Sequence, residues 1–129
     1  MSANQSKPKK EKAPGANMNE EMKKDILDNK NDLIDGTFCY FLIENGFFDE
    51  HSLANLIGKC DVVLIKDADE DEVTDLLKWL IVSIEQCFSS NSDSNDLYII
   101  KNYNTAMEQR WHIEWKPKLM KLINANLNI

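Results

Sequence analysis

The side chains able to act on a substrate are few. Three thiols, Cys39, Cys60 and Cys87, each lie in or beside an apolar stretch, and the two imidazoles, His51 and His112, are far apart in the chain. Neither histidine belongs to an HExxH helix, and no CxxC or CxxxH spacing offers the ligands of a zinc site. Cys39 or Cys60 with a distant histidine would form a nucleophile pair only if the fold joined them. Thiols in apolar surroundings are ordinarily inert core residues. Neither GxxxxGK[ST] nor GxGxxG occurs, and Gly15, Gly36, Gly46 and Gly58 are the only glycines from which a phosphate-cradling loop could be built. The expectation is a protein that is not an enzyme and has no catalytic residues, metal or cofactor.

The other chemistry is negative charge. Asp67-Ala68-Asp69-Glu70-Asp71-Glu72 is the densest acidic run in the chain. A calcium loop of the form D-x-[DN]-x-[DN]-G fails here, because Glu72 stands where glycine is required. Two readings remain: a solvated helix start, or a docking face for a basic partner. Asp93 and Asp96 lie beyond the far end of the same predicted helix.

The charge balance bears on partners. Residues 1 to 17 hold Lys7, Lys9, Lys10 and Lys12 against Glu11, a net charge of +3, and the whole chain carries −7, so residues 18 to 129 carry −10. A body this acidic repels phosphate backbones and is a poor direct binder of nucleic acid. No apolar run approaches the ~20 residues of a membrane span. An odd number of cysteines without a secretory apolar region implies a reducing, cytoplasmic setting with buried thiols rather than a disulfide framework.

The 129 residues accommodate one domain and a tail. Residues 1–17, with two prolines, four lysines and almost nothing apolar, read as a disordered basic tail. Residues 18–129 read as a single acidic globular domain. A first helix is expected from Asn19, with Met22, Ile26, Leu27, Leu33 and Ile34 on one face and Gly36 at its end. Thr37 caps the next element, where Phe38 to Ile43 form a short helix or a strand, the cap and stop signals favouring a helix; Phe47-Phe48 then enter the core. Asp49 caps a helix through Leu53, Leu56 and Ile57 that ends at Gly58. The central element is a long helix over about 69–89. Its apolar residues at 73, 76, 77, 80, 81, 84, 87 and 88 mark one face for more than four turns. Trp79 falls off that stripe. A polar loop follows from Ser89 to Asp96. Thr105-Ala106-Met107-Glu108 fits a capping box. Met107, Trp111 and Trp115 then repeat every four residues before Pro117, which predicts a kink or break near Lys116.

The predicted fold is mainly α, a compact domain of four to six helices around the long central one. The alternative is α+β, with short strands at about 61–65 (DVVLI) and 97–101 (LYIIK). The functional expectation is a protein-binding module that acts by stoichiometric association with a basic protein, as an immunity or antitoxin protein does with a toxin nuclease. Asp67, Asp69, Glu70, Asp71 and Glu72 are the expected contacts and Trp79 the expected anchor. The rival is a regulatory or adaptor domain that dimerises, or binds a partner helix, through the aromatic C-terminal region. The module is thus expected as a monomer or a homodimer.

Overall fold

The computed structural model describes residues 14–66 and 71–127, with side chains over 20–65 and 71–124. Among the described residues five α-helices occur in order: α1 (Pro14–Asp28), α2 (Glu50–Lys66), α3 (Asp71–Ser92), α4 (Thr105–Arg110) and α5 (Lys116–Leu127). Two π-helical turns join them, π1 (Tyr40–Glu44) and π2 (Trp111–Trp115). No strand occurs among the described residues, so the mainly helical architecture is the one adopted.

The central helix is organised as its periodicity requires. Val73, Leu76, Leu77, Leu80, Ile81, Ile84, Cys87 and Phe88 are all buried. α1 and α5 each pack against both α2 and α3. Between them lies one core that includes Phe38, Phe48, Leu53 and the fully enclosed Trp111. Phe48 meets the edge of Phe38 at 5.4 Å and lies tilted against Phe88 at 5.5 Å.

Several boundaries differ from expectation, each for a local reason. α1 starts at Pro14, inside the stretch read as tail, at the first-turn position where a missing N–H costs nothing. It ends at Asp28 rather than near Gly36. Asn29 stops it: its buried side chain donates to the carbonyls of Asp25 (3.2 Å) and Ile26 (3.3 Å) and accepts from the backbone N–H of Cys39 (3.1 Å). Leu33, expected in the core, is consequently exposed. Thr37 does cap the next element, its hydroxyl accepting from the N–H of Tyr40 (3.0 Å). Asp49 caps α2 as expected, accepting from His51 (3.1 Å) and Ser52 (3.2 Å).

α2 does not end at Gly58. It continues through the run expected as a strand, because Leu53, Leu56, Cys60, Val63 and Leu64 fall at helical spacing and are all buried. Helical period and burial override the β preference of Val62, Val63 and Ile65. The other expected strand, 97–101, is irregular over 97–100 and enters a turn at Lys101. The cap of α4 is Asn104, not Thr105: Asn104 Oδ1 accepts from Met107 N–H at 2.8 Å, and Glu108 instead accepts from the Tyr103 hydroxyl at 2.6 Å. Pro117 lies inside continuous helical structure. The π turn just before it, closed by Lys116 N–H on the Trp111 carbonyl, absorbs the irregularity expected there. No helix among the described residues is long and apolar enough to cross a membrane.

Two glycines give opposite expectations. Gly46 has φ +66°, and a Cβ there would strike the carbonyl oxygen of Ile99. Gly46→Ala should therefore destabilise the fold by about 2 kcal/mol or more, combining left-handed strain with a backbone clash. Gly58 has open space around it in mid-helix. Gly58→Ala should stabilise by up to about 1 kcal/mol. Chemical denaturation of the two variants checks both signs.

Candidate acidic docking face

Of the residues expected to make contacts, Asp71 and Glu72 form the exposed first turn of α3, where the helix dipole favours carboxylates. Asp67, Asp69 and Glu70 lie outside the described residues. Glu72 pairs with Lys23 of α1 at 3.0 Å while remaining 67% exposed. Such a surface pair is worth at most about 1 kcal/mol and leaves the carboxylate open to a partner. Trp79 is half-buried and packs against the core cluster, so only part of its ring faces outward.

Further carboxylates surround the loop after α1. Asp25, Asp28 and Asp35 line a cleft of about 360 Å³ together with Lys59. Lys59 meets Asp25 at 3.2 Å, and Lys24 meets Asp28 at 3.1 Å. Glu44 and Asp32 form a carboxyl pair: a hydrogen bond from one to the other, with their mutual repulsion, holds the Glu44 carboxyl above the ordinary range. No group of three or more potential ligands gathers to hold a metal ion among the described residues.

Two acids have a different task. Glu50, at the start of α2, receives Arg110 through Nε (2.8 Å) and Nη2 (2.6 Å) and the indole N–H of Trp115 (2.9 Å). Glu85, on α3, receives the indole N–H of the buried Trp111 (3.2 Å) and pairs with Lys116 (2.7 Å). The Arg110 hydrogen bonds hold the Glu50 carboxyl below its usual range, with Trp115 adding to them against partial burial; Lys116 and then Trp111 do the same for Glu85. These two carboxylates fasten the C-terminal helices to α2 and α3.

Sequence reasoning missed the segment after α3. Leu97 is 99% exposed and Ile99 57%, while Tyr98 and Ile100 point inward. Phe47, expected in the core, is also largely exposed. The segment is tied down throughout. Tyr98 donates its hydroxyl to the Leu42 carbonyl, and Ile100 N–H reaches Asn91 Oδ1 at 2.7 Å. Lys101 N–H reaches the Gly46 carbonyl at 2.6 Å. Asn102 exchanges two hydrogen bonds with the backbone of Phe48, at 2.9 and 2.8 Å. Asp93 and Asp96 fold the preceding turn by accepting from Asn95 (2.9 Å) and Tyr98 (3.0 Å). The Tyr98 backbone N–H holds the exposed Asp96 carboxyl below its ordinary range, so it stays charged. The apolar run from Leu97 to Ile100 is the signal the sequence offers, and it reads equally as a strand.

The thiols are placed for packing. All three are buried, and burial pushes Cys39 and Cys60 up to about 12, which keeps both protonated near neutral pH. Cys87 is raised by the same cause. Both histidines are exposed, and His112 faces Glu108 at 3.9 Å.

No family model, no curated protein and no solved structure matches this chain.

Because Glu50 is depressed in the folded state, its contribution to stability is present above the unfolded carboxyl value, near 4.5, and is lost as pH falls through the lower folded one. Glu50→Gln should therefore be clearly less stable than the native chain at pH 7. The difference should shrink as pH falls from neutral through that lower folded value, where the native carboxyl itself takes up a proton. Urea midpoints across that range check the convergence.

Proposed function

We propose that this protein is a small acidic binding module that works by stoichiometric association with a basic protein. The observation that carries the reading is the pairing of exposed carboxylates with a rigidly held apolar patch. Leu97 and Ile99 stand out from a segment fixed by long-range hydrogen bonds, directly after Asp93 and Asp96. Lys101 is the single cation between residues 93 and 103. Apolar side chains that no internal contact needs, held in one conformation, give affinity without an ordering cost at binding. Carboxylates around them speed encounter with a cationic surface and reject acidic ones. The apolar patch extends the set of expected contacts beyond Asp67, Asp69, Glu70, Asp71, Glu72 and Trp79.

The most concrete form of this reading is an immunity or antitoxin protein that covers the cationic site of a toxin nuclease. Its support is chemical: a small acidic body, thiols kept protonated by burial, and exposed acid at both ends of α3.

The test begins with capture of a partner by the full chain from cells that produce it, followed by reconstitution with the purified partner. The expected complex is 1:1, its partner is basic, and its association rate falls steeply with salt. Asp69→Asn, Glu70→Gln and Asp71→Asn together, and separately Leu97→Ser with Ile99→Ser, should each weaken binding by about tenfold or more. An acidic partner, or an affinity untouched by both sets, contradicts the proposal.

A further inference from the structure

A second surface carries the opposite balance of charge. From Thr105 onward the chain has four cations, Arg110, Lys116, Lys118 and Lys121, against Glu108 and Glu114. This cationic end borders an open groove of about 430 Å³ between α2 and α5. Ile57 of α2, Trp115 and Leu122 of α5's side form its apolar lining. Gly58 also faces it, with nothing within reach of a Cβ. The line of α2 residues 54, 57, 58 and 61 continues one turn on to Ile65, which is 75% exposed.

The walls of the groove differ in sign. The α2 wall presents Asp61, and the α5 wall presents Lys118 and Lys121. Lys118 is engaged locally, 3.5 Å from Glu114 and over the Trp115 ring at 5.1 Å. Asp61 and Lys121 are both exposed, and neither has an ion-pair partner among the described residues, although they share one groove. A patch with apolar residues in the middle, an acid on one wall and a cation on the other is complementary to itself. A two-fold axis sets the α2 wall of one copy against the α5 wall of the next and forms each Asp61–Lys121 pair twice.

We propose that the α2–α5 groove is the contact surface for a second copy of this chain, in a two-fold dimer held by its apolar lining and by reciprocal Asp61–Lys121 pairs. A foreign acidic helix would satisfy the lysines and leave Asp61 opposed by like charge. A foreign basic one would do the reverse. Only a partner with both signs in this arrangement satisfies both walls, and the chain itself is such a partner. The dimer uses neither the first turn of α3 nor the Leu97–Ile99 patch, so it stands independently of the docking function.

Sedimentation equilibrium of the full chain, from micromolar to millimolar concentration at one fixed ionic strength, tests the proposal. The native chain should show a reversible monomer–dimer equilibrium. Asp61→Lys and Lys121→Asp should each weaken it by about tenfold or more, because each reversal turns two attractions into two repulsions. The exchanged pair D61K/K121D should return to within about threefold of native. Gly58→Arg should block the groove and give monomer, with helical content by circular dichroism unchanged. A chain that is monomeric throughout the range, or an exchanged pair as weak as the single reversals, overturns the proposal.

Discussion

The carboxylates of this molecule divide between two that fasten helices together through an indole N–H and a cation at once and others that lie at the surface, and the division orders the rest of the structure. Glu50 and Glu85 are the ones fully engaged. Each accepts an indole N–H, from Trp115 and Trp111 respectively, and each meets a cation, Arg110 or Lys116. Trp111 is completely enclosed, so its N–H needs an acceptor inside the fold; without Glu85 that donor would be buried unpaired, which is costly. The two acids thereby set the position of α4, π2 and α5 against α2 and α3. The π turn serves the same end, since it keeps the chain helical into Pro117 while Trp111 faces the core. With Arg110 and Lys116 drawn to these two acids, other carboxylates lie at the surface, some of them in exposed pairs with Lys23, Lys24, Lys59 and Lys118.

Asparagine does a comparable task for the irregular segments. Asn29 closes α1 and holds Cys39, Asn91 holds Ile100, Asn102 holds Phe48 and Asn104 opens α4. Each satisfies backbone groups that no regular ladder would reach. The result is an irregular segment tied down at several points, with no sheet among the described residues. That fixity gives Leu97 and Ile99 functional interest, because an apolar side chain on a loose loop pays its ordering entropy only when bound. Gly46 belongs to the same arrangement: its left-handed conformation and missing side chain let the Ile99–Lys101 backbone come close.

Much of the architecture was legible in the residues. The apolar stripe of α3 is long enough to define a helix and its buried face without further information, and every position on it is buried. Met107 and Trp111 likewise take core positions, and Asp49 caps as its type predicts. What was not legible depends on contacts distant in sequence. The run DVVLIK has the composition of a strand, and only the position of the core shows that Cys60, Val63 and Leu64 continue the buried face of α2. Asn29 is an unremarkable residue until Cys39 is brought beside it, so the end of α1 was misplaced. For the candidate site, the acidity and the exposure of Asp71 and Glu72 follow from the residues. The Leu97–Ile99 patch does not, because a continuous apolar run tells neither which side chains meet water nor whether a partner strand exists.

The proposed docking function uses acid at the two ends of α3, its first turn and the segment from Asp93 to Ile99. Hydrogen exchange of the full chain, alone and in complex with the purified basic protein it captures, measures this directly. The account predicts slowed exchange upon binding over about residues 69–75 and 93–99, with the α2–α5 groove unchanged between the two states. Protection confined to the groove, or absent from both acidic segments, would contradict it.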